Sequence, residues 1–131
     1  MKKLARSGRP PSQRQLKAGE VIRHALVHAL QRGDVHDPDL ETVSITVSEV
    51  RVSPDLKHAI AFVMPLMGQN KDNVLAGLRR SRNYIRGIIA KATTWKFVPD
   101  IDFELDRSFE QSDKVDQLLR SQRVRRDLEE H

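Results

Sequence analysis

Arg79, Arg80, Arg82, Arg86, Lys91 and Lys96 place six positive charges between Asp72 and Asp100, and no acidic residue stands among them. Cations at this density form a footprint for a polyanion. At 100° per residue, Tyr84, Ile85, Ile88, Ile89 and Ala92 share one side of a helix, which leaves Arg79, Asn83, Arg86 and Ala90 on the other. One helix can therefore seat itself on a core and present cations. Ser81-Arg82-Asn83 interrupts an earlier periodic segment (Val74, Leu75, Leu78) whose apolar face is out of phase with the later one, predicting a kink between two short helices. Serine competes for backbone hydrogen bonds and asparagine tolerates left-handed angles, so both suit a break. A second helix starting there would aim its free N–H groups at a bound anion.

Other candidate chemistry is weaker. His24 and His28 have a spacing that can hold a metal, but no suitably placed glutamate or third ligand accompanies them. The carboxylates of Asp100, Asp102, Glu104 and Asp106 alternate along one segment, as on the solvated face of a strand. A small metal-dependent RNA nuclease using Asp102, Glu104 or Asp106 is thus a rival reading, although no converging partner, no nucleophile with a neighbouring base and no glycine-rich phosphate loop is evident. The reading is non-enzymatic, without cofactor or metal. Cysteine is absent, so neither disulfides nor thiolate metal sites enter.

The net charge of +5 over 131 residues conceals a separation. Residues 1–19 hold six basic residues and no acid, residues 73–99 another six and no acid, and the remainder has 11 basic against 18 acidic residues. Such segregation favours nucleic acid as partner. A membrane is disfavoured, because the basic helix spends its apolar face on the core, and no apolar run matches a bilayer or a signal peptide. The expectation is a cytoplasmic monomer.

The elements that must position the cations read as follows. Residues 1–12, rich in glycine, proline and charge, form a flexible basic arm. A helix spans about residues 13–32 with Leu16, Ile22, Ala25, Leu26, Ala29 and Leu30 on its stripe and Gly33 as cap. A polar connection (34–41) leads to a strand over 42–52, whose phase slips at Glu49 and predicts a bulge. Ser53-Pro54-Asp55-Leu56 turns the chain into a second strand (57–66) with Ile60, Phe62, Met64 and Leu66 on one face. After a loop (68–73) and the kinked helices, 100–106 alternates with Ile101, Phe103 and Leu105 inward. Residues 110–131 form a charged tail, in part a marginal helix. The RNA-binding unit is thus 13–109. The order α-β-β-α-kink-α-β, α+β with a three-stranded sheet covered on one side by helices, is the type II KH-like arrangement. The kink takes the place of the KH loop, and Gly87 and Ala90 keep the following helix surface low.

In Val43 to Val52, Ser53-Pro54-Asp55-Leu56, Tyr84-Ile85-Arg86, Lys91-Ala92, Val98-Pro99-Asp100-Ile101 and Phe103, the chain resembles the ribosome-binding factor A family of bacterial small-subunit maturation factors, over about residues 13–119. That family has an Ala-x-Gly kink where this sequence has Ser81-Arg82-Asn83, and Asn83 is the expected left-handed substitute for glycine. The resemblance implies binding to free, immature 30S subunits at the 16S rRNA, help with late folding and 5′-end processing, a role in growth in the cold, and release by a ribosome-assembly GTPase. RNA contacts are assigned to Arg79, Arg80, Arg82, Asn83, Arg86 and Lys91, with a secondary contact at Arg6, Arg9 and Arg14. Tyr84 is expected in the core, while Trp95 is open to either role. A generic single-stranded RNA-binding KH module is the alternative.

Overall fold

The computed structural model describes residues 10–108; the basic arm up to Arg9 and the tail from 109 onward lie outside the described residues. Helix α1 (Gln13–Arg32) opens with a reciprocal cap, the Ser12 hydroxyl accepting from the Gln15 N–H while the Gln15 side chain accepts from the Ser12 N–H. It closes on Gly33, whose φ of 73° is the left-handed geometry that glycine adopts without penalty. Strand β1 (Ile45–Val52) pairs antiparallel with β2 (His58–Pro65), and β2 pairs parallel with β3 (Asp100–Leu105), giving the order β1-β2-β3. Helices α2 (Lys71–Arg80) and α3 (Arg82–Ala92) complete the type II KH-like fold.

The register of β1 against β2 shifts between Val47 and Glu49, so Ser48 is the bulged residue. The bulge lets Val47, Val50 and Val52 all reach the core despite the broken alternation. The hairpin turn is fixed by the Ser53 hydroxyl, which donates to the Asp55 carboxylate and accepts from the His58 N–H, with Leu56 at φ 60°.

Strand β2 sets Ile60, Phe62 and Met64 on one face as expected, without Leu66. Its core-facing residues are Ala59, Ala61 and Val63, while Ile60, Phe62 and Met64 lie on the face opposite the helices, and Leu66 leaves the strand for a 3-10 turn (Leu66–Gly68). Large side chains from the helices and β3 fill the space over this middle strand, which leaves its smaller set facing inward, while α1 rests on β1, where a Cβ on Gly19 would stand 2.5 Å from the Val50 carbonyl oxygen. The core unites Ile22 and Leu26 of α1, Val74 and Leu78 of α2, Ile85 and Ile89 of α3, and Ile101 and Phe103 of β3. Leu16, expected on the buried stripe of α1, is 50% exposed, the buried positions of the helix being Ala18, Gly19, Ile22, Leu26 and Ala29.

Candidate nucleic-acid interface

The helix break falls at Ser81, with φ −93° and ψ 4°. This backbone is right-handed, so the turn is made without a left-handed residue, and Asn83 sits inside α3 as an ordinary, exposed helical residue. The expected glycine-like role for Asn83 is therefore corrected. No side chain caps α3; the Ser81 N–H is taken by the Gly77 and Leu78 carbonyls and its carbonyl by the Ile85 N–H. Gly77 permits the approach of α2 to the 34–41 connection, since a Cβ there would meet Asp37 Oδ1 at 2.9 Å.

Charge around the kink is distributed less freely than the sequence suggests. Arg80 donates from Nη2 to Asp37 Oδ1 at 2.8 Å and to Asp39 Oδ2 at 2.6 Å, and from Nε to Asp37 Oδ2 at 3.1 Å. Asp37 is nearly buried, and these bonds with the Asp39 N–H hold its carboxyl below the usual range. The "polar connection" is thus a structural element, burying Val35 and Leu40 beside Asp37. Arg79 pairs with Asp102 at 3.1 Å and donates to the Phe103 carbonyl at 2.9 Å. Arg86 donates to the Val98 and Pro99 carbonyls and stands 3.3 Å from Asp100. Arg79, Arg80 and Arg86 therefore share their space with four carboxylates, leaving the surplus at Arg82, Lys91 and Lys96, which have no carboxylate partner among the described residues.

That surplus is specific. Arg82 is exposed, and its Nε donates to the Arg79 carbonyl at 3.2 Å, which sets the stem and leaves the rest of the guanidinium to solvent. Lys91 is exposed at the other end of α3 and makes no side-chain hydrogen bond or ion pair among the described residues. Between them lie Asn83, Gly87 and Ala90, all exposed, and a Cβ on Gly87 would meet nothing within 4 Å. Tyr84, expected in the core, is 56% exposed: the inward positions of α3 are filled by Ile85 and Ile89, and a residue 100° away falls on the flank. Trp95 instead packs against the core, and Ala92 is exposed. Arg14 lies exposed on the first turn of α1, whereas Arg6 and Arg9 are outside the described residues.

Two of the three carboxylates of the nuclease alternative are engaged elsewhere, and Glu104 makes no side-chain hydrogen bond or ion pair among the described residues. Asp102 holds Arg79 and the Phe103 N–H, and Asp106 accepts from Ser108, which lowers its carboxyl. No group of three or more possible metal-ligating residues occurs among the described residues. His24 stands 3.4 Å from Glu20 on the same helix. Among the described residues no helix is long and apolar enough to cross a membrane.

Residues 14–119 match the family model described as ribosome-binding factor A. A protein of that name from Paracoccus denitrificans is 53% identical over 125 residues, covering 95% of this chain and 91% of its own length. One from Roseobacter denitrificans is 52% identical over 121 residues, covering 92% and 85%. Among solved structures, the solution structure of a Thermotoga maritima protein described as a ribosome-binding factor A superposes with a TM-score of 0.62 at 29% identity, covering 77% of this chain and 94% of that one. The Thermus thermophilus factor superposes at 0.61 and 21% identity, covering 72% and 98%, which shows the shared fold. Coordinates of the latter factor fitted into a cryo-EM map of its complex with the 30S subunit superpose at 0.55 and 22% identity, covering 66% and 89%.

Proposed function

This chain belongs to the ribosome-binding factor A family, and from that premise we propose that it binds free, immature 30S subunits through 16S rRNA and assists their late maturation. The carrying observation is the outward face of α3, where Arg82 and Lys91 remain available at either end of a low surface made by Asn83, Gly87 and Ala90. Cations at the ends and no bulky side chain between them suit a phosphate backbone that must come close. In this reading Arg82, Asn83 and Lys91 touch RNA directly. Arg79, Arg80 and Arg86 add to the local potential while fixing α2 and α3 against β3 and the 34–41 connection. Tyr84 is placed to stack on an unpaired base, and Arg14, with Arg6 and Arg9, supplies a second contact.

Help with 5′-end processing of the rRNA, support of growth in the cold and release by a ribosome-assembly GTPase belong to the same proposal. A protein that binds by electrostatics and is removed by another factor needs no catalytic group or cofactor of its own. The complex described for the Thermus thermophilus factor supports the choice of partner. The test is co-sedimentation with separated 30S and 70S particles at two salt concentrations, beside an Arg82→Glu/Lys91→Glu variant. These two residues are chosen because their loss breaks no internal ion pair. Salt-sensitive binding to free 30S, absent from 70S and lost in the variant, is expected. Equal binding by the variant would remove the interface from α3, and equal binding to short unstructured oligonucleotides would favour a generic RNA-binding module.

A further inference from the structure

Phe97 is an apolar ring left outside a segment that is otherwise tied down. Beyond α3 the chain runs from Thr93 to Pro99 before β3 begins, and it is anchored on both sides of Phe97: Trp95 and Val98 pack against the core, and Pro99 is fully buried. Arg86 adds two bonds, donating from Nη2 to the Val98 carbonyl at 2.8 Å and from Nε to the Pro99 carbonyl at 3.2 Å. Phe97 nevertheless stands 54% exposed and takes no part in the core. A ring held in place yet left to water is preorganised for a contact from outside, because its segment has little freedom left to lose.

The Arg86 bonds also give the ring its position. They fold the segment back along the Arg86 flank of α3, whereas Tyr84, two residues earlier, lies about 200° around the helix axis on the other flank. By the same count Asn83, Gly87 and Ala90 fall between the flanks, and all three are exposed. The low strip of α3 therefore runs between two exposed aromatic residues, Tyr84 and Phe97. Near Phe97 along the chain the exposed residues are Lys91, Ala92, Thr94 and Lys96, and neither lysine makes an ion pair or side-chain hydrogen bond among the described residues. The carboxylate nearest in sequence, Asp100, stands 3.3 Å from Arg86, and its backbone N–H goes to the carbonyl of the exposed Lys57.

We propose that Phe97 is a base-stacking residue: an unpaired base of single-stranded RNA lies on its ring, and Lys96 and Lys91 hold the phosphates beside it. The inference rests on the RNA reading of α3 and adds that the stretch recognised is unpaired, since a base inside a duplex has both faces covered by its neighbours. An anchor for a polypeptide would sit among further apolar residues, whereas the exposed neighbours here are lysine, threonine and alanine. Stacking uses the face of the ring, so the choice of ligand does not depend on the net charge of this side of the molecule.

The full-length chain is titrated, over a range of salt concentrations, with a short fluorescein-labelled oligoadenylate and with the same strand annealed to oligouridylate. Expected are tighter binding of the single strand, a loss of about tenfold in Phe97→Leu, which keeps apolar bulk without the ring, and parent-like affinity in Phe97→Tyr. The salt slope separates the ring from its lysines: it is unchanged in Phe97→Leu and falls by about 0.7 in Lys96→Gln. Parent-like affinity in Phe97→Leu, or equal binding of strand and duplex, would overturn the proposal. If Arg82→Glu/Lys91→Glu loses binding in that same titration, the α3 reading survives the loss of this one. Phe97→Leu that keeps its oligonucleotide affinity but no longer co-sediments with 30S would overturn the stacking and set the ring against a ribosomal protein.

Discussion

Arg80 and Arg82 are two positions apart in sequence, and the structure gives them different work. Arg80 is held by two carboxylates in a fork geometry, so replacing it leaves Asp37 nearly buried without its cation. Arg80→Gln is expected to lower the melting temperature by several degrees, while Arg82→Gln leaves it within a degree. In RNA binding the order reverses: removing a phosphate contact reduces the slope of log K against log salt by roughly 0.7–0.9, and this loss is expected for Arg82→Gln but not for Arg80→Gln. Asp37 also makes a pH prediction. Its folded-state pKa is depressed, chiefly by Arg80, so its contribution is complete above the ordinary aspartate value of about 4 and is lost as pH falls through the lower folded value. Asp37→Asn removes that part of the acid-side slope in a melting series. Reading the sequence singled out Arg80 by its neighbours, but its partner lies 43 positions away, and no local pattern shows such a pairing. Tyr84 was misplaced for a related reason, since a helical wheel ranks apolar positions without knowing how wide the covered stripe will be.

Glycines decide two questions at the scale of whole elements. Gly19 is where α1 meets β1, and Gly19→Ala would push against a backbone oxygen that cannot rotate away, at a cost of about 1–3 kcal/mol in chemical denaturation. Gly87 is the opposite case. It lies exposed within α3 with open space around its Cβ position, so Gly87→Ala is expected to stabilise the fold by about 0.5–1 kcal/mol. If a phosphate backbone approaches this surface, the same methyl weakens 30S binding, and opposite signs in the two assays identify the residue as interface. The elements themselves were largely visible in advance: α1 with its Gly33 cap, the hairpin, the bulge and the alternation of β3 follow from short-range periodicity and turn chemistry. The inward face of β2 was not, because alternation gives two faces and only the packing of the helices over the sheet decides that the smaller set goes inside. The kink was located from phase, yet its right-handed backbone at Ser81 depends on how α2 and α3 pack against β3.

Seen whole, the molecule separates charge by face more than by segment. The sequence suggested a strongly basic middle, but Asp37, Asp39, Asp100 and Asp102 fold in among its arginines, and the remaining excess sits at Arg82, Lys91 and Lys96. Across the sheet, Glu49 and Glu104 flank Phe62 of β2, with Arg51 beside them and paired to Glu49. In the proposed mode of binding the α3 side meets the polyanion, and Glu49 and Glu104 on the sheet face oppose contact with phosphate. Glu49→Lys/Glu104→Lys adds cations where none face outward in surplus, so its affinity for unstructured RNA rises, and the rise shrinks at high salt. Filter binding to a random-sequence oligonucleotide at two ionic strengths, set beside 30S co-sedimentation, measures the effect. If the acidic face confers orientation, oligonucleotide affinity increases several-fold while 30S affinity changes little, and the ratio between them falls. An unchanged ratio would mean that selectivity resides in the shape of the α3 surface alone.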